Sequence, residues 1–331
     1  MEQRTLGRTG LKVSVLGFGC GAVGGLMVNG SPADQERAVA WAIDQGINYF
    51  DTAAQYGEGK SETNLGRVLR ALNIPQDKAL VGTKVRVPPV ERGQIGAAII
   101  EAMEASLQRL GMDHVDLFQL HNAITDAGAV PDLPVEAVLN EVVPALEKLR
   151  QQGKIRFIGM TAIGDAAALH RIVAADVMDT AQIPHNLLNP SPMYVLPAGF
   201  PAQDFRQLMP AASAAGIGII GIRVLAGGAL SGHENRHPLG MKDVEPIGST
   251  ASYAEDAANA RLLLPLVAEG FAGSVIEAAI RFAISNDAMS TVLIGLSTQD
   301  ELEQAAAAIN KGPLSEAALA RVAELQAMFT G

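Results

Sequence analysis

Four residues of this chain have the types and spacing to move a proton beside a fixed charge: Asp51, Tyr56, Lys84 and His121. Asp51, Lys84 and His121 each stand at or near the end of a short apolar run, spanning 47–52, 80–85 and 115–121. Runs that are apolar on both parities read as parallel strands buried on both faces. Neighbouring strands lie about 4.8 Å apart, so three consecutive strands bring a carboxylate, an ammonium and an imidazole together. Tyr56 follows Asp51 in a glycine-flanked loop, Tyr56-Gly57-Glu58-Gly59. A buried lysine needs a counter-charge, and Asp51 on the adjoining strand supplies one. An ammonium beside a phenol favours the phenolate. Such a phenol can give a proton to a carbonyl oxygen or take one from an alcohol, with His121 orienting and polarising the carbonyl. Nothing in the set is a hydride source or electron sink, so a cofactor has to bring that step. Taken singly, each residue has a plainer reading: a structural ion pair, a satisfied core histidine, a loop tyrosine. The joint arrangement is what points to chemistry.

The elements that must position these groups recur along the whole chain. Eight apolar runs cover 15–20, 47–52, 80–85, 115–121, 155–161, 180–186, 217–223 and 291–297. Between several of them lie amphipathic stretches with serine, proline or glycine where helix ends need them. These are 33–45, 61–72, 94–110 and 135–152. Most intervals are roughly one βα unit of about 30 residues. Eight such units without a linker predict one (β/α)8 barrel over 1–331, a TIM barrel of the α/β class. A doubly wound sheet has fewer strands and leaves an edge. A pair of short runs, 3–6 and 12–13, predicts an N-terminal β-hairpin, and 316–329 predicts an extra C-terminal helix. The polar stretch 233–255 reads as a long loop on the active face. Residues 207–222 are charge-free but too short and too broken by Pro210 and glycines for a membrane span.

Composition bounds the rest. The chain has 331 residues, 48% of them hydrophobic and 18% charged, which excludes a disordered or fibrous chain. The net charge of −10 leaves no basic surplus for nucleic acid or an anionic membrane. The lone cysteine, Cys20, excludes a disulfide framework and a multi-cysteine zinc site. The polar first residues are unlike a signal peptide, and a cytoplasmic protein is expected. No histidine spacing forms a metal site, with Lys84 opposing a cation. Gly19, Gly21 and Gly24 match a dinucleotide fingerprint by letters, but residues 26–32 separate them from the next helix.

The same residues carry a resemblance. Asp51-Thr52-Ala53-Ala54-Gln55-Tyr56-Gly57, then Gly59, Ser61-Glu62 and Leu65-Gly66, resemble the signature of the aldo-keto reductase superfamily. Gly82-Thr83-Lys84, Asp116-Leu117 through Leu120-His121, and Gly153-Lys154-Ile155-Arg156 through Ile158-Gly159 follow in the family's order. The resemblance runs from Thr5 to Phe329. It implies a (β/α)8 barrel, NAD(P)(H)-dependent interconversion of carbonyls and alcohols, and a catalytic tetrad at Asp51, Tyr56, Lys84 and His121.

It also implies where a dinucleotide lies. Gly19, Cys20 and Asp51 match positions near the nicotinamide, and Gln182 matches a glutamine that holds the carboxamide. Thr161 keeps a hydroxyl at a position where serine is usual, whereas Ala162 lacks the asparagine amide that often follows. Ile222 replaces an aromatic ring that stacks on the nicotinamide. Arg223 suits the pyrophosphate, as a planar fork for a phosphate. Leu225 and Gly228 follow in the same loop. The adenosine end falls to Gly295, Ser297, Glu301 and Gln304. The family's NADPH users place a basic residue after the eighth strand; residues 294–305 have none, and Glu301 would repel a 2′-phosphate. The cofactor is therefore NAD(H) or NADP(H), with the charges leaning to NAD(H). Alternatives on the same scaffold are an NAD-dependent sugar or aldose dehydrogenase and a cofactor-sensing regulatory subunit. The partner expected is a small carbonyl or alcohol. Its specificity would come from loops 23–29, 86–90, 122–133, 189–205 and 233–255; oligomeric state is left open.

Overall fold

The strands close on themselves because the sequence leaves them no polar face to expose. In a computed structural model describing residues 1–128, 131–232 and 235–329, the barrel strands are β1 Leu16–Gly19, β2 Tyr49–Asp51, β3 Leu80–Val85, β4 Val115–Leu120, β5 Ile155–Thr161, β6 Thr180–Pro184, β7 Gly218–Ile222 and β8 Met289–Gly295. They pair in parallel in chain order, and β8 returns to β1 through Val292 opposite Leu16. Every residue of β3 and β4 is buried, since one side meets the barrel interior and the other the helices.

The expected hairpin forms between Gln3–Thr5 and Lys12–Ser14. Leu6 and Val13 from this hairpin pack with Tyr49, Leu80, Leu117, Ile220 and Leu293. These residues come from five strands, so the hairpin plugs the bottom of the barrel and leaves the strand C-termini as the open mouth. Helix starts follow the caps: Ser31 accepts from the Asp34 amide ahead of Pro32–Asp44, and Gly111, in the left-handed region, ends Ile95–Leu110.

Four expectations shift. The helix expected over 135–152 is interrupted by a π turn at Val138–Val142 before resuming as Val143–Gln151. Pro144 has no N–H to offer the carbonyl four residues back, and the widened turn absorbs that loss. The last strand begins and ends two residues earlier than expected, because Ser297 and Thr298 belong to the start of the helix Gln299–Asn310, where Thr298 accepts from the Glu301 amide. The final helix, Glu316–Gln326, likewise stops short of Phe329. The stretch 233–255, whose first two residues lie outside those described, is not loop to its end. Ser252 caps a helix, Tyr253–Arg261, by accepting from the Glu255 amide. No helix among the described residues is long and apolar enough to cross a membrane.

Candidate active site

Lys84 is fully buried in the wall of the mouth. Its ammonium donates to the Asp51 carboxylate, to the Thr52 carbonyl at 2.9 Å and to the Tyr56 hydroxyl at 3.2 Å. Burial alone pushes this ammonium down; the Asp51 carboxylate and then the Tyr56 oxygen outweigh it, and the net displacement is upward. Lys84 therefore stays charged although no water reaches it.

Asp51 is held from four sides. Besides Lys84, it accepts from the Tyr49 hydroxyl at 2.9 Å, the Gln182 amide at 2.6 Å and the Gln119 amide at 3.3 Å. Burial first, then the Asp51 charge, pushes the Tyr49 phenol well above its ordinary range, so Tyr49 is a permanent donor. The register explains the convergence: Asp51 faces Gly82 across β2 and β3, and Lys84 faces Gln119 across β3 and β4.

Tyr56 stands at the rim. Its ring lies 5.8 Å from that of His121, edge to face. Gln55 holds the imidazole through Nδ1 at 3.2 Å. Desolvation, then the charges of Lys84 and Arg86, pushes His121 down to about 3. Its imidazole is thus neutral across the physiological range.

These groups open into a cleft of about 1090 Å³, large enough for more than one drug-sized ligand. Gly19, Thr161, Gln182, Ile222, Arg223, Leu225, Gly228, Gly295, Ser297, Glu301 and Gln304 all line it, together with Asp51, Tyr56 and His121. Cys20 does not line it. Its neighbours Gly19 and Gly21 face the cleft while its own thiol turns into the core, with Sγ 3.9 Å from the Phe18 carbonyl. Burial and the Asp51 charge push that thiol up. None of residues 189–205 lines the cleft, and of 86–90 only Arg86 does.

The residues present fit a dinucleotide. Thr161 Oγ1 is buried without a hydrogen-bond partner, on the strand residue that pairs with Gln182, and both line the cleft. An orphan hydroxyl beside an amide suits a ligand that both donates and accepts, as a carboxamide does. Arg223 has its backbone in the left-handed region, φ 57°. Its guanidinium donates to the Glu245 carbonyl at 3.2 Å, and it has no ion pair among the described residues. Gly227 and Gly228 follow with positive φ, and a Cβ on Gly227 would meet Val244, so that turn requires glycine. Glu301 is already engaged: its carboxylate accepts from the Ser297 amide at 2.6 Å.

Arg236 was not legible as a functional residue. It donates to the carbonyls of Val23 at 3.2 Å, Met241 at 2.6 Å and Gly227, and stands 5.7 Å from the Tyr253 ring centre. It thereby ties the long loop after β7 to the loop after β1. An arginine in a polar stretch carries no sequence signal for such a role. Tyr49 and Gln119 were missed for a different reason: both read as ordinary strand residues.

His185, one residue beyond β6, is buried against Phe282 with ring centres 5.0 Å apart, and its Nδ1 has no partner. Burial pushes it down to about 4. In the unfolded chain it titrates near 6.5. As pH falls from about 6.5 toward 4, the unfolded chain takes up a proton the folded one refuses, so stability falls by up to roughly 1.4 kcal/mol per pH unit. His121 acts in the same direction. His185→Phe is expected to flatten part of that slope in urea titrations between those pH values. Equal slopes in both proteins would mean that His185 is not kept neutral.

Comparison with known proteins adds to the geometry. A model of the aldo/keto reductase family matches residues 15–327. The chain is 29% identical to L-galactose dehydrogenase of Arabidopsis thaliana over 314 residues, 94% of this chain and 89% of that protein. It is 26% identical to a probable voltage-gated potassium channel subunit beta of the same plant, covering 95% and 93%. The solved holo form of an aldo-keto reductase from Bacillus halodurans superposes with a TM-score of 0.73 at 24% identity, over 98% of this chain and 96% of that one. That last likeness bears on the fold alone.

Proposed function

The chain belongs to the aldo/keto reductase family, and on that premise we propose that it interconverts a small carbonyl and its alcohol with NAD(H) or NADP(H), using Tyr56 as general acid and base. The observation that carries the reading is the 3.2 Å contact of the Tyr56 hydroxyl with a buried, permanently charged Lys84. A bound nicotinamide supplies the hydride. Thr161 and Gln182 would hold its carboxamide, Gln182 through Oε1 because its nitrogen is spent on Asp51. Arg223 and the Gly227-Gly228 turn would hold the pyrophosphate.

The protein's own part is proton transfer and positioning. In reduction, Tyr56 gives its proton to the carbonyl oxygen as negative charge develops there, and the Lys84 ammonium steadies the phenolate left behind. Asp51 keeps Lys84 charged and in place. His121, neutral, aims the substrate oxygen. Gln55 Oε1 at Nδ1 accepts the single proton of the neutral ring, which leaves Nε2 as an acceptor for the hydroxyl of the alcohol. In oxidation each role reverses. The similarity to L-galactose dehydrogenase favours a second reading, oxidation of a sugar by the same groups.

NAD(H) is the cofactor the charges favour. Residues 294–305 hold no lysine or arginine, and at the Gly295, Ser297, Glu301 and Gln304 end of the cleft a 2′-phosphate would meet a carboxylate. The cation bonded nearby, Arg236, is engaged with the carbonyls of Val23, Gly227 and Met241. Initial rates with both reduced dinucleotides are expected to favour NADH. Glu301→Arg should shift the kcat/KM ratio toward NADPH by about tenfold, a change of about 1.4 kcal/mol. Strong preference of the unaltered protein for NADPH would remove this assignment.

A further inference from the structure

One charged side chain in the cleft has no role in that reading. Arg86 follows β3 by one residue. Strand side chains alternate, so Arg86 points the same way as Lys84, about 7 Å further out along the strand. Lys84 is spent on Asp51, Thr52 and Tyr56. Arg86 is exposed, lines the cleft, and among the described residues has neither a hydrogen bond nor an ion pair. It stands beside His121, because Val85 pairs with Leu120 and the His121 amide donates to the Val85 carbonyl at 2.8 Å.

Most arginines among the described residues pair with a carboxylate or are bonded to backbone carbonyls, and Arg86 does neither. Acidic residues outnumber basic ones, 35 to 25, and arginines elsewhere have found them: Arg109 holds Glu62, Arg156 holds Asp116, Arg321 holds Glu269. Within the cleft, Asp51 is committed to Lys84, and Glu301 lies at the far end. Among the described residues that line the cleft, the end that holds Tyr56 and His121 therefore carries net positive charge with no carboxylate left to balance it. Tyr56 and His121 fix where a reacting oxygen sits, and Arg86 is one strand step outward from it. We propose that Arg86 sets substrate specificity, and that the substrate is a small aldehyde or ketone, or the matching alcohol, bearing a carboxylate. A lone guanidinium fork matches a carboxylate in a bidentate pair; a phosphate dianion would call for further donors. The proposal rests on the hydride-transfer reading above and names the substrate class of that same site.

The test is a set of matched pairs assayed with both dinucleotides: succinic semialdehyde against butanal, galacturonate against galactose, and glyceraldehyde 3-phosphate against glyceraldehyde. The expected result is a kcat/KM about tenfold or more higher for each carboxylate-bearing member. Arg86→Gln is expected to collapse that ratio toward one, mainly through KM, and Arg86→Lys to keep part of it. Added salt should raise KM for the anionic members of the unaltered protein more than for the neutral ones, a readout that does not depend on any variant folding. A ratio near one in the unaltered protein, a ratio that survives Arg86→Gln, or a larger ratio for the phosphate pair overturns the proposal. Turnover of none of the six compounds with either dinucleotide would instead count against hydride transfer itself, and the proposal would go with it.

Discussion

Tyr56→Phe is expected to lower kcat by roughly 10²–10⁴-fold, the range a positioned general acid contributes, while cofactor affinity changes little. The substitution removes one oxygen and keeps the ring, so the edge-to-face contact with His121 at 5.8 Å survives. It takes away the hydroxyl proton placed beside Lys84. Lys84 is buried behind Asp51 and held as an ammonium, and His121 is pushed down to about 3, so at neutral pH it has no second ring proton to give. The loss should fall on kcat and kcat/KM alike, the pattern of an interaction made in the transition state. Dinucleotide affinity is read by fluorescence titration, because Thr161, Gln182 and Arg223 are untouched. Rates within a factor of a few of the unaltered protein would take Tyr56 out of the mechanism, whatever its distance from Lys84.

How much of this was legible beforehand follows from the physics of each part. The barrel was legible because eight strands buried on both faces leave no alternation, and because helices announce their ends with serine, proline and glycine. Asp51, Lys84 and His121 were legible because a charge or imidazole at or near the end of an apolar run is out of place. Tyr49 and Gln119 were not, since a tyrosine and a glutamine inside strands look like packing until the register sets their polar atoms against Asp51. Cys20 was assigned to the cleft by its place in the chain, but alternation about Gly19 and Gly21 turned it inward. Arg236 and the Tyr253–Arg261 helix lay in a stretch whose composition says only that it is polar. The π turn at Val138–Val142 follows from Pro144, which the reading of 135–152 as one uninterrupted helix passed over.

The ion pair at the base of the mouth should respond asymmetrically to losing either partner. Asp51→Asn leaves an ammonium fully buried with no counter-charge, facing neutral oxygens from Thr52 and Tyr56. Breaking a buried pair in this way costs about 3–5 kcal/mol. Lys84→Met leaves a carboxylate, but one that still accepts from Tyr49, Gln119 and Gln182, and three retained hydrogen bonds offset part of the loss. The expected order of stability in urea is therefore unaltered protein, then Lys84→Met, then Asp51→Asn. The double variant Lys84→Met/Asp51→Asn should recover stability over Asp51→Asn alone, because no buried charge is left unpaired; a coupling of at least about 1 kcal/mol is expected for groups in contact. All three variants should lose most of their turnover, since in each the ammonium beside Tyr56 is either gone or no longer anchored by a carboxylate. Additive stability effects would mean that the pair is not coupled in solution. A Lys84→Met enzyme with unchanged kcat would leave the pair a purely structural element, and Tyr56 would need another partner to bear its charge.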